Sequence, residues 1–278
     1  MLFIVNPISG IIPKSYLISY LKRKGFKVAC TEYAGHAEKL AREATERVIV
    51  AVGGDGTVNE VARGIVGTEK VLGIIPSGSG DGLALHLGIS RYYKKALRTI
   101  RKGKVKRIDS GFINDRPFFS ICGIGFDAVV SERFAKSGKR GVLNYIELGL
   151  QTWNEYSPEK YIVEIDGNSI EMEASLITIG NSSQWGNYAK IAPRADISDG
   201  VLDMTAVDRF SIIAMPSLAV LLMTGELDKN SHVHCYRGRN IKITRKVAGP
   251  AHADGDWFKA GTELNIRVLP HSLNVIVP

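Results

Sequence analysis

One aspartate of this chain lies among glycines, in the run Gly53-Gly54-Asp55-Gly56-Thr57. Residues of these types at this spacing could take part in chemistry. Glycines let the backbone approach a phosphate closely, and the free N–H groups at a helix start favour an anion. A carboxylate beside phosphates is repulsive, so Asp55 makes chemical sense if it holds Mg²⁺, binds a hydroxyl or accepts a proton. The alternative is a plain glycine turn in an α/β domain, with Asp55 as a turn residue.

The residues around this turn predict a buried strand before it and a helix after it. Val48 to Val52 is an unbroken apolar run, which suits a strand covered on both faces of a parallel sheet. Thr57 and Glu60 have the spacing of a capping box, which predicts that the helix starts at Thr57. The next apolar residues recur at helical spacing, on one face: Val58, Val61, Ala62 and Ile65. Strand, turn and helix start together predict an anion site.

Two further polar turns also follow apolar runs. Asn6 to Gly10 (NPISG) follows Leu2 to Val5, and Pro76 to Gly82 (PSGSGDG) follows Val71 to Ile75. Strands that alternate with helices over the first hundred residues favour a parallel sheet, and such turns gather at its carboxyl edge, where ligands bind. The fingerprint G-x-x-x-x-G-K-[ST] is absent, which excludes a P-loop protein.

The composition is ordinary for a globular protein, and the excess of positive charge is local. The chain has 278 residues, 45% of them hydrophobic and 23% charged, with a net charge of +8. A basic face suits nucleic acid, an anionic bilayer or an acidic substrate, although a solvated face is the simpler interpretation of any one run. One basic run comprises Lys94, Lys95, Arg98, Arg101, Lys102, Lys104, Lys106 and Arg107, and a second comprises Lys136, Lys139 and Arg140.

Cysteine usage and hydropathy indicate a cytoplasmic setting. The cysteines, Cys30, Cys122 and Cys235, are odd in number and lack metal spacing, which fits a reducing compartment. The first ten residues have no basic n-region, so we expect no signal peptide. The longest apolar stretch, Ile212 to Met223, contains Pro216 and is too short to span a bilayer. The six histidines show no metal spacing and are expected at the surface, and the three tryptophans are expected to pack.

The pattern changes near residue 110, from which short β-like runs predict a mostly-β second domain. The predicted strands are 116–122, 160–165, 169–179, 201–207, 240–244, 263–268 and 273–277, and helical patterns cover about 128–134, 142–154 and 211–224. Gly123 to Ala128 (GIGFDA) imitates a G-x-G-x-x-A dinucleotide fingerprint, but no clear βαβ unit follows it.

With NPISG, GGDGTVNE and PSGSG in this order, the chain resembles the diacylglycerol kinase catalytic-domain family, which includes bacterial lipid kinases and sphingosine kinases and is distantly similar to NAD kinases. The resemblance covers essentially the whole chain. It implies an α/β nucleotide-binding domain over residues 1–110, completed by 269–278, and a β-sandwich substrate domain over 111–268. It also implies ATP and Mg²⁺ as cofactors and phosphoryl transfer to a lipid hydroxyl.

Carried over motif by motif, the resemblance also assigns site residues. The implied nucleotide contacts are Asn6, Ser9, Gly10, Thr31, Gly53, Gly54, Asp55, Gly56, Thr57, Asn59, Glu60, Gly78, Ser79 and Asp256. Asp254, in Asp-Gly-Asp, matches the family's general base, and Asp127 and Asp81 are assigned to the lipid substrate. Asp199, with the carbonyls of Asp196 and Val201, matches a structural Mg²⁺ loop.

The third turn departs from the bacterial pattern. Many bacterial diacylglycerol kinases have Gly-Thr-x-Asn-Asp-Phe where this chain has Gly78 to Leu83, GSGDGL, which is closer to sphingosine and ceramide kinases. Because Gly82 replaces the second acidic position, the resemblance does not carry a metal network built on that position over to this chain. The resemblance therefore favours a diacylglycerol-like lipid, with a sphingoid base or ceramide as the alternative.

Other assignments stay open at the level of sequence. Asp254 and Asp55 compete as general base; we favour Asp254, with Asp55 as a metal or hydroxyl ligand, while a β-turn role for Asp254 is the alternative. An NAD kinase-like enzyme and an inactive nucleotide- or membrane-binding regulator are the rival functions. We expect a lipid substrate at a membrane surface, a peripheral position on the inner face of the membrane, and no nucleic acid. The oligomeric state stays open, with a homodimer among the options.

Overall fold

The computed structural model describes residues 1–10, 14–138 and 141–278, which divide into two units. Unit 1 comprises Met1–Ser110 and Pro270–Pro278, and unit 2 comprises Gly111–Leu269. Lys139 and Arg140 of the second predicted basic run lie outside the described residues, as do residues 11–13. Two strands, β5 (Lys104–Ile113) and β18 (Glu263–Val277), carry the chain from one unit into the other.

A parallel sheet forms the centre of unit 1. Its first four strands are β1 (Leu2–Val5), β2 (Lys27–Cys30), β3 (Val48–Gly53) and β4 (Val71–Pro76). The order is β2-β1-β3-β4-β18, where the end of β18 pairs with β4 through Asn274 and Val275. Every pair in this series is parallel. The apolar runs of β3 and β4 are buried almost throughout, as a sheet covered on both faces requires.

Within the described residues of unit 1, five helices accompany this sheet. They are α1 (Lys14–Arg23), α2 (His36–Glu43), α3 (Asp55–Ile65), α4 (Gly82–His86) and α5 (Tyr93–Lys102). The predicted apolar face of α3 is confirmed, because Val58, Val61, Ala62 and Ile65 are all buried.

Unit 2 consists of antiparallel strands. The remaining strands are β6 (Arg116–Phe118), β7 (Ile121–Gly125), β8 (Glu159–Ile165), β9 (Asn168–Ala174), β10 (Leu176–Gly180), β11 (Gln184–Gly186), β12 (Ala189–Lys190), β13 (Leu202–Val207), β14 (Val233–Gly238), β15 (Asn240–Arg245), β16 (Gly249–Ala253) and β17 (Asp256–Ala260). One sheet has the order β14-β13-β10-β7-β16-β17, and a second series within the unit runs β9-β8-β15-β18. Their apolar faces share one core, which contains Ile124, Ile177, Val163 and Ile243. This is the predicted β-sandwich.

The described part of unit 2 also contains three helices: α6 (Phe126–Ser137), α7 (Val142–Glu155) and α8 (Met215–Thr224). The predicted helix over 211–224 splits into a 3₁₀ turn, Ile212–Ala214, and α8, in which Pro216 occupies the first turn, where a missing N–H costs nothing. A second 3₁₀ turn covers Leu227–Lys229. Among the described residues, no helix is long and apolar enough to cross a membrane.

The strands of unit 2 differ from the prediction in number and continuity. The predicted strand over 169–179 is two strands, and the separate runs 263–268 and 273–277 are one continuous strand, β18. GIGFDA only imitates a dinucleotide fingerprint, as expected from the sequence, because β7 is flanked by the antiparallel strands β10 and β16. A Rossmann site requires a parallel βαβ unit at that point.

Candidate active site

The three polar turns of unit 1 meet at the carboxyl edge of its sheet, as the sequence predicted. The Asn6 side chain donates a hydrogen bond to Thr57 Oγ1 at 3.3 Å, which joins the first turn to the second. A Cβ added to Gly78 would lie 2.7 Å from the Cα of Gly54, so the second and third turns touch backbone to backbone. A Cβ on Gly10 would lie only 1.5 Å from the carbonyl oxygen of Ser77, which brings the first turn against the third.

Glycine is needed at these contacts, but the space beside Gly56 is open. No heavy atom lies within 4 Å of a Cβ built on Gly56, which is exposed in the first turn of α3. Ser79, in the third turn, is exposed as well, whereas the predicted contacts Thr57 and Asn59 are buried. The open backbone at Gly56 and the N-terminus of α3 together form a place where an anion fits.

Asp55 connects the second turn to the third. Its Oδ2 accepts a hydrogen bond from the backbone N–H of Asp81, and its Oδ1 accepts one from Gly82, both at 2.8 Å. The carboxylate therefore braces the turn beside it, a role that sequence reasoning did not foresee.

Asp81 lies within the same cluster and is buried. Its carboxylate accepts a hydrogen bond from the Gly78 N–H at 2.9 Å and pairs with the Arg91 guanidinium at 3.2 Å. Burial, with the nearby negative charge of Asp55 adding to it, raises the pKa of Asp81 to about 6. Arg91 also donates to the carbonyls of Ser79 and Gly80, so it holds the turn from outside. The assignment of Asp81 to the lipid substrate stays a prediction.

The predicted capping box at Thr57 is wrong. The α3 helix begins at Asp55 with Gly54 as its N-cap, so Thr57 is already inside the first turn. The Glu60 carboxylate instead accepts hydrogen bonds from the N–H groups of Gly35 and Ala37, at 2.8 and 3.0 Å, where α2 begins. Glu60 thus fixes the start of a neighbouring helix. Thr31, another predicted nucleotide contact, follows β2 and donates its N–H to the Val5 carbonyl.

Lys14 is a residue of this region that sequence reasoning missed. It is the first residue of α1, is 6% exposed, and its Nζ donates to Ser77 Oγ at 2.6 Å. Burial lowers its pKa, and the negative charge of Asp81 partly opposes that shift. A lysine shortly after NPISG would have been the signal, although its spacing matches no motif.

In unit 2, Asp254 occupies the turn of the β16–β17 hairpin. Both turn residues are left-handed, with φ of 51° at Asp254 and 84° at Gly255, as a two-residue hairpin turn requires. The Asp254 carboxylate accepts three backbone hydrogen bonds, from Phe119 and Ser120 at 2.8 Å and from Ile121 at 3.0 Å. Asp254 is therefore a turn residue that also anchors the segment before β7.

The surroundings of Asp254 shift its pKa in opposite directions. Burial raises its pKa to about 6, while the three backbone N–H groups act to lower it. A carboxyl group that titrates close to neutrality suits a general base, because it is ionised at physiological pH and still accepts a proton readily. Asp256, two residues on, is exposed at the start of β17.

Asp127 belongs to a buried polar group that spans three adjacent strands. In the sheet, Gly123 on β7 pairs with Thr178 on β10 and with His252 on β16. The Asp127 carboxylate, from the first turn of α6, reaches over Gly123 and accepts from Thr178 Oγ1 at 2.8 Å. Its Oδ2 lies 3.0 Å from His252 Nε2. A Cβ on Gly123 would lie 2.5 Å from that oxygen, so only glycine leaves room.

The expectation that the histidines lie at the surface is wrong for His252, which is 2% exposed. Its Nδ1 lies 3.4 Å from the Gly255 N–H, which places the proton on Nε2, toward Asp127. His252 thus lies between Asp127 and the turn that holds Asp254. Because Asp127 is buried and hydrogen-bonded, its assignment to the lipid head group stays a prediction.

The predicted Mg²⁺ loop is closed by its own hydrogen bonds. The Asp199 carboxylate accepts from the Val201 N–H at 3.0 Å and pairs with Arg237, while the Asp199 N–H points to the Asp196 carbonyl at 3.5 Å. Within the part of the chain that the structure describes, no group of three or more His, Cys, Asp or Glu side chains could hold a metal ion. Because Arg237 already balances the charge of Asp199, the arrangement does not fit Mg²⁺ without displacement of that arginine.

Unit 1 combines a parallel sheet with an anion site at its glycine turns, and unit 2 is a β-sandwich in which the pKa of Asp254 is raised. This two-unit architecture is that of a lipid kinase. The chain matches the family described as "Diacylglycerol kinase catalytic domain" over residues 1–113 and the "YegS C-terminal NAD kinase beta sandwich-like domain" over residues 120–277. The chain therefore belongs to the diacylglycerol kinase catalytic-domain family, and the predicted enzyme class, lipid kinase, is confirmed.

The chain is also similar to individual proteins and to a solved structure. The chain is 28% identical to a diacylglycerol kinase of Bacillus subtilis over 268 residues, which cover 91% of this chain and 88% of that one. It is 33% identical over 267 residues to an uncharacterized protein of Synechocystis sp.; the match covers 91% of this chain but only 61% of that protein. The crystal structure of a diacylglycerol kinase from Bacillus anthracis superposes with a TM-score of 0.76 at 21% identity, covering 100% of this chain and 96% of that one, which shows the shared fold.

Proposed function

We propose that this protein transfers the γ-phosphoryl group of ATP to the hydroxyl group of diacylglycerol or a closely related lipid. The observation that carries the proposal is the meeting of three turns of unit 1 around the open backbone at Gly56. Phosphoryl transfer needs positioning and charge neutralisation more than covalent help, and an array of backbone N–H groups at a helix start supplies both.

In the proposed reaction, unit 1 binds the nucleotide and unit 2 supplies the base. Asp254 accepts the proton of the lipid hydroxyl while the hydroxyl oxygen forms a bond to the γ-phosphorus and the bond to the departing ADP oxygen breaks. A pKa of about 6 leaves Asp254 ionised at neutral pH. Asp55 would hold a nucleotide-bound Mg²⁺ through the lone pairs that its backbone contacts leave, and that cation would neutralise phosphate charge.

The identity of the lipid is tested by an assay with labelled ATP against a lipid panel, with the products separated. We expect diacylglycerol to be phosphorylated faster than a sphingoid base or ceramide. The Gly-Ser-Gly-Asp turn and Asp127 support the sphingoid alternative, which preferential labelling of sphingoid bases would establish instead. Labelling of NAD would identify an NAD kinase, and ATP binding without turnover of any acceptor would identify a regulator.

We further propose that the enzyme works on the surface of an anionic bilayer. Residues 82–108 contain no Asp or Glu, and the basic residues of α5 and the start of β5 project from unit 1, with Ala96 and Ile100 buried on the other face of the helix. Each such charge near an anionic surface adds on the order of 1 kcal/mol of attraction. The exposed members are Lys94, Lys95, Arg98, Arg101, Lys102, Lys104, Lys106 and Arg107.

Unit 2 supplies a second, apolar contribution to the proposed membrane contact. Leu143, Ile146 and Leu150 lie at helical spacing on α7 and are 82%, 52% and 46% exposed. Aliphatic side chains arranged in this way suit the boundary between head groups and acyl chains of a bilayer.

Sedimentation with phosphatidylglycerol-containing vesicles separates the two contributions. Charge reversal at Lys94, Lys95 and Arg98 should weaken vesicle binding at low salt and make it less sensitive to salt, whereas serine at Leu143, Ile146 and Leu150 should weaken binding at every salt concentration. Reversal of Lys246 and Lys259, exposed in unit 2, is the control. Binding to duplex DNA in preference to the vesicles would contradict a membrane role.

A further inference from the structure

Lys14 carries a buried positive charge beside the third turn. Its side chain is 6% exposed, and among the described residues it forms no direct ion pair with a carboxylate. Burial of an ammonium group carries a desolvation penalty, which lowers the pKa of Lys14 and which the negative charge of Asp81 offsets only in part. An anionic ligand would offset the remainder.

The position of the ammonium group agrees with such a ligand. Lys14 Nζ is 2.6 Å from Ser77 Oγ, and Ser77 is the residue whose carbonyl touches Gly10 and whose neighbour, Gly78, touches Gly54. The ammonium group therefore lies beside Ser77, a residue of the third turn that is in contact with the first turn. An ammonium group has three N–H donors, and in the described part of the chain one of them is used by Ser77.

We infer that Lys14 binds the polyphosphate of the nucleotide, a role to which no motif in the sequence points. The inference rests on the proposed function, in that it takes the nucleotide site to be in unit 1. Ser77 holds the ammonium group in place, and the remaining donors bind phosphate oxygens through charge-assisted hydrogen bonds. We assign the contact to the β- or γ-phosphate, and the comparison of ATP with AMP tests that assignment.

A purely structural role for Lys14 makes the opposite prediction. If the lysine served only to tether the third turn through Ser77, its replacement would lower the stability of the protein and leave phosphate recognition largely intact. Lys14→Met removes the charge and keeps an unbranched apolar side chain of similar length. With the buried charge gone, the nucleotide-free protein should be as stable as the parent or more so.

The experiment measures the binding of MgATP, MgADP, AMP and inorganic tripolyphosphate by calorimetry, together with Tm without ligand. For Lys14→Met we expect about 10- to 100-fold weaker binding of ATP and tripolyphosphate, unchanged binding of AMP, and an unchanged or raised Tm. Lys22→Met, at an exposed lysine of the same helix, is the matched control and should bind ATP like the parent. Lys14→Gln, which keeps a donor for Ser77, is the second variant if the methionine variant does not fold.

The outcomes separate the inference from the proposed function. A parent protein that binds neither ATP nor ADP would overturn the nucleotide site as a whole. A parent that binds ATP, with folded Lys14→Met or Lys14→Gln variants of equal affinity, would overturn the role of Lys14 alone. Equal losses for AMP and ATP would also contradict it, since they would indicate a general disturbance of the turns instead of a lost phosphate contact.

Discussion

Asp55 Oδ2 accepts a 2.8 Å hydrogen bond from the backbone N–H of Asp81, so the aspartate of the GGDG turn holds the adjacent PSGSGDG turn. Because Oδ1 accepts from Gly82 at the same distance, both carboxylate oxygens are engaged by the protein itself. A residue that the sequence singles out for chemistry is therefore also a structural brace. Any substitution at Asp55 must be interpreted with both roles in mind.

Asp55→Asn should consequently lower the free energy of unfolding as well as the affinity for MgATP. An amide offers one acceptor in place of two, and its NH₂ group would face a backbone N–H, which costs about 1–3 kcal/mol. Denaturant unfolding and calorimetric ATP titration measure the two effects. Ser79→Ala, at an exposed residue of the braced turn, is the stability control. An Asp55→Asn variant as stable as the parent would contradict the bracing role.

Gly56→Val and Gly54→Val should behave differently, although both glycines belong to one motif. A Cβ on Gly54 would approach Gly78 Cα to 3.0 Å, whereas a Cβ on Gly56 would meet nothing within 4 Å. We expect Gly56→Val to fold with a Tm near that of the parent and to lose ATP binding, since its side chain fills the space of the phosphate. Gly54→Val should lose stability as well. Unchanged ATP affinity in folded Gly56→Val would mean that the phosphate lies elsewhere.

The sequence predicted unit 1 well because its signals are local. Apolar runs of five or six residues end directly in glycine turns, and a parallel sheet places such turns at a common edge. The details depended on contacts distant along the chain. Glu60 has capping-box spacing relative to Thr57, yet its carboxylate binds the start of α2, more than twenty residues earlier. Lys14 and Ser77, 63 residues apart, had no shared signal.

Unit 2 was harder to predict because its strands depend on their partners. The strand β16 (GPAHA) contains glycine, proline and alanine, and it has little intrinsic β-propensity. Its pairing with β7 on one side and with β17 on the other defines this strand, and the pairing with β7 brings His252 opposite Gly123. The sequence identified Asp127 and Asp254 separately, but only the fold places a buried histidine between them.

Substitutions around Asp127 should distinguish a structural carboxylate from a lipid contact. Thr178→Val removes one donor to Asp127 at nearly constant shape, and we expect it to cost about 1–3 kcal/mol of stability, since a buried acceptor loses a partner. Asp127→Asn should raise the KM for lipid and leave the KM for ATP nearly unchanged if the carboxylate serves the acceptor. Activity assays in mixed micelles and denaturant unfolding measure both. If Asp127→Asn alters the KM for ATP alone, the assignment to the lipid is wrong.

Asp254→Asn should separate turn formation from proton transfer. Asparagine tolerates the left-handed backbone that Asp254 adopts, and its carbonyl oxygen still accepts from Ser120 and Ile121, while the bond from Phe119 is lost. We expect kcat to fall by about 10²–10⁴, the usual contribution of a general base, with ATP affinity retained. Asp115→Asn, at an exposed turn of the same unit, is the control.

The pH dependence gives an independent test of Asp254. Because burial raises the pKa of Asp254 from its ordinary value of 3.8 to about 6, kcat of the parent should decline as the pH falls through 6 and the base becomes protonated. The free energy of unfolding should change with pH in the opposite direction, because the folded state binds this proton more tightly than the unfolded state. The stabilisation that Asp254 contributes is therefore fully present below pH 3.8 and is lost as the pH rises to about 6. Asp254→Asn should remove both dependences. If that variant turns over normally while Asp55→Asn loses kcat alone, Asp55 is the base and Asp254 only anchors the turn.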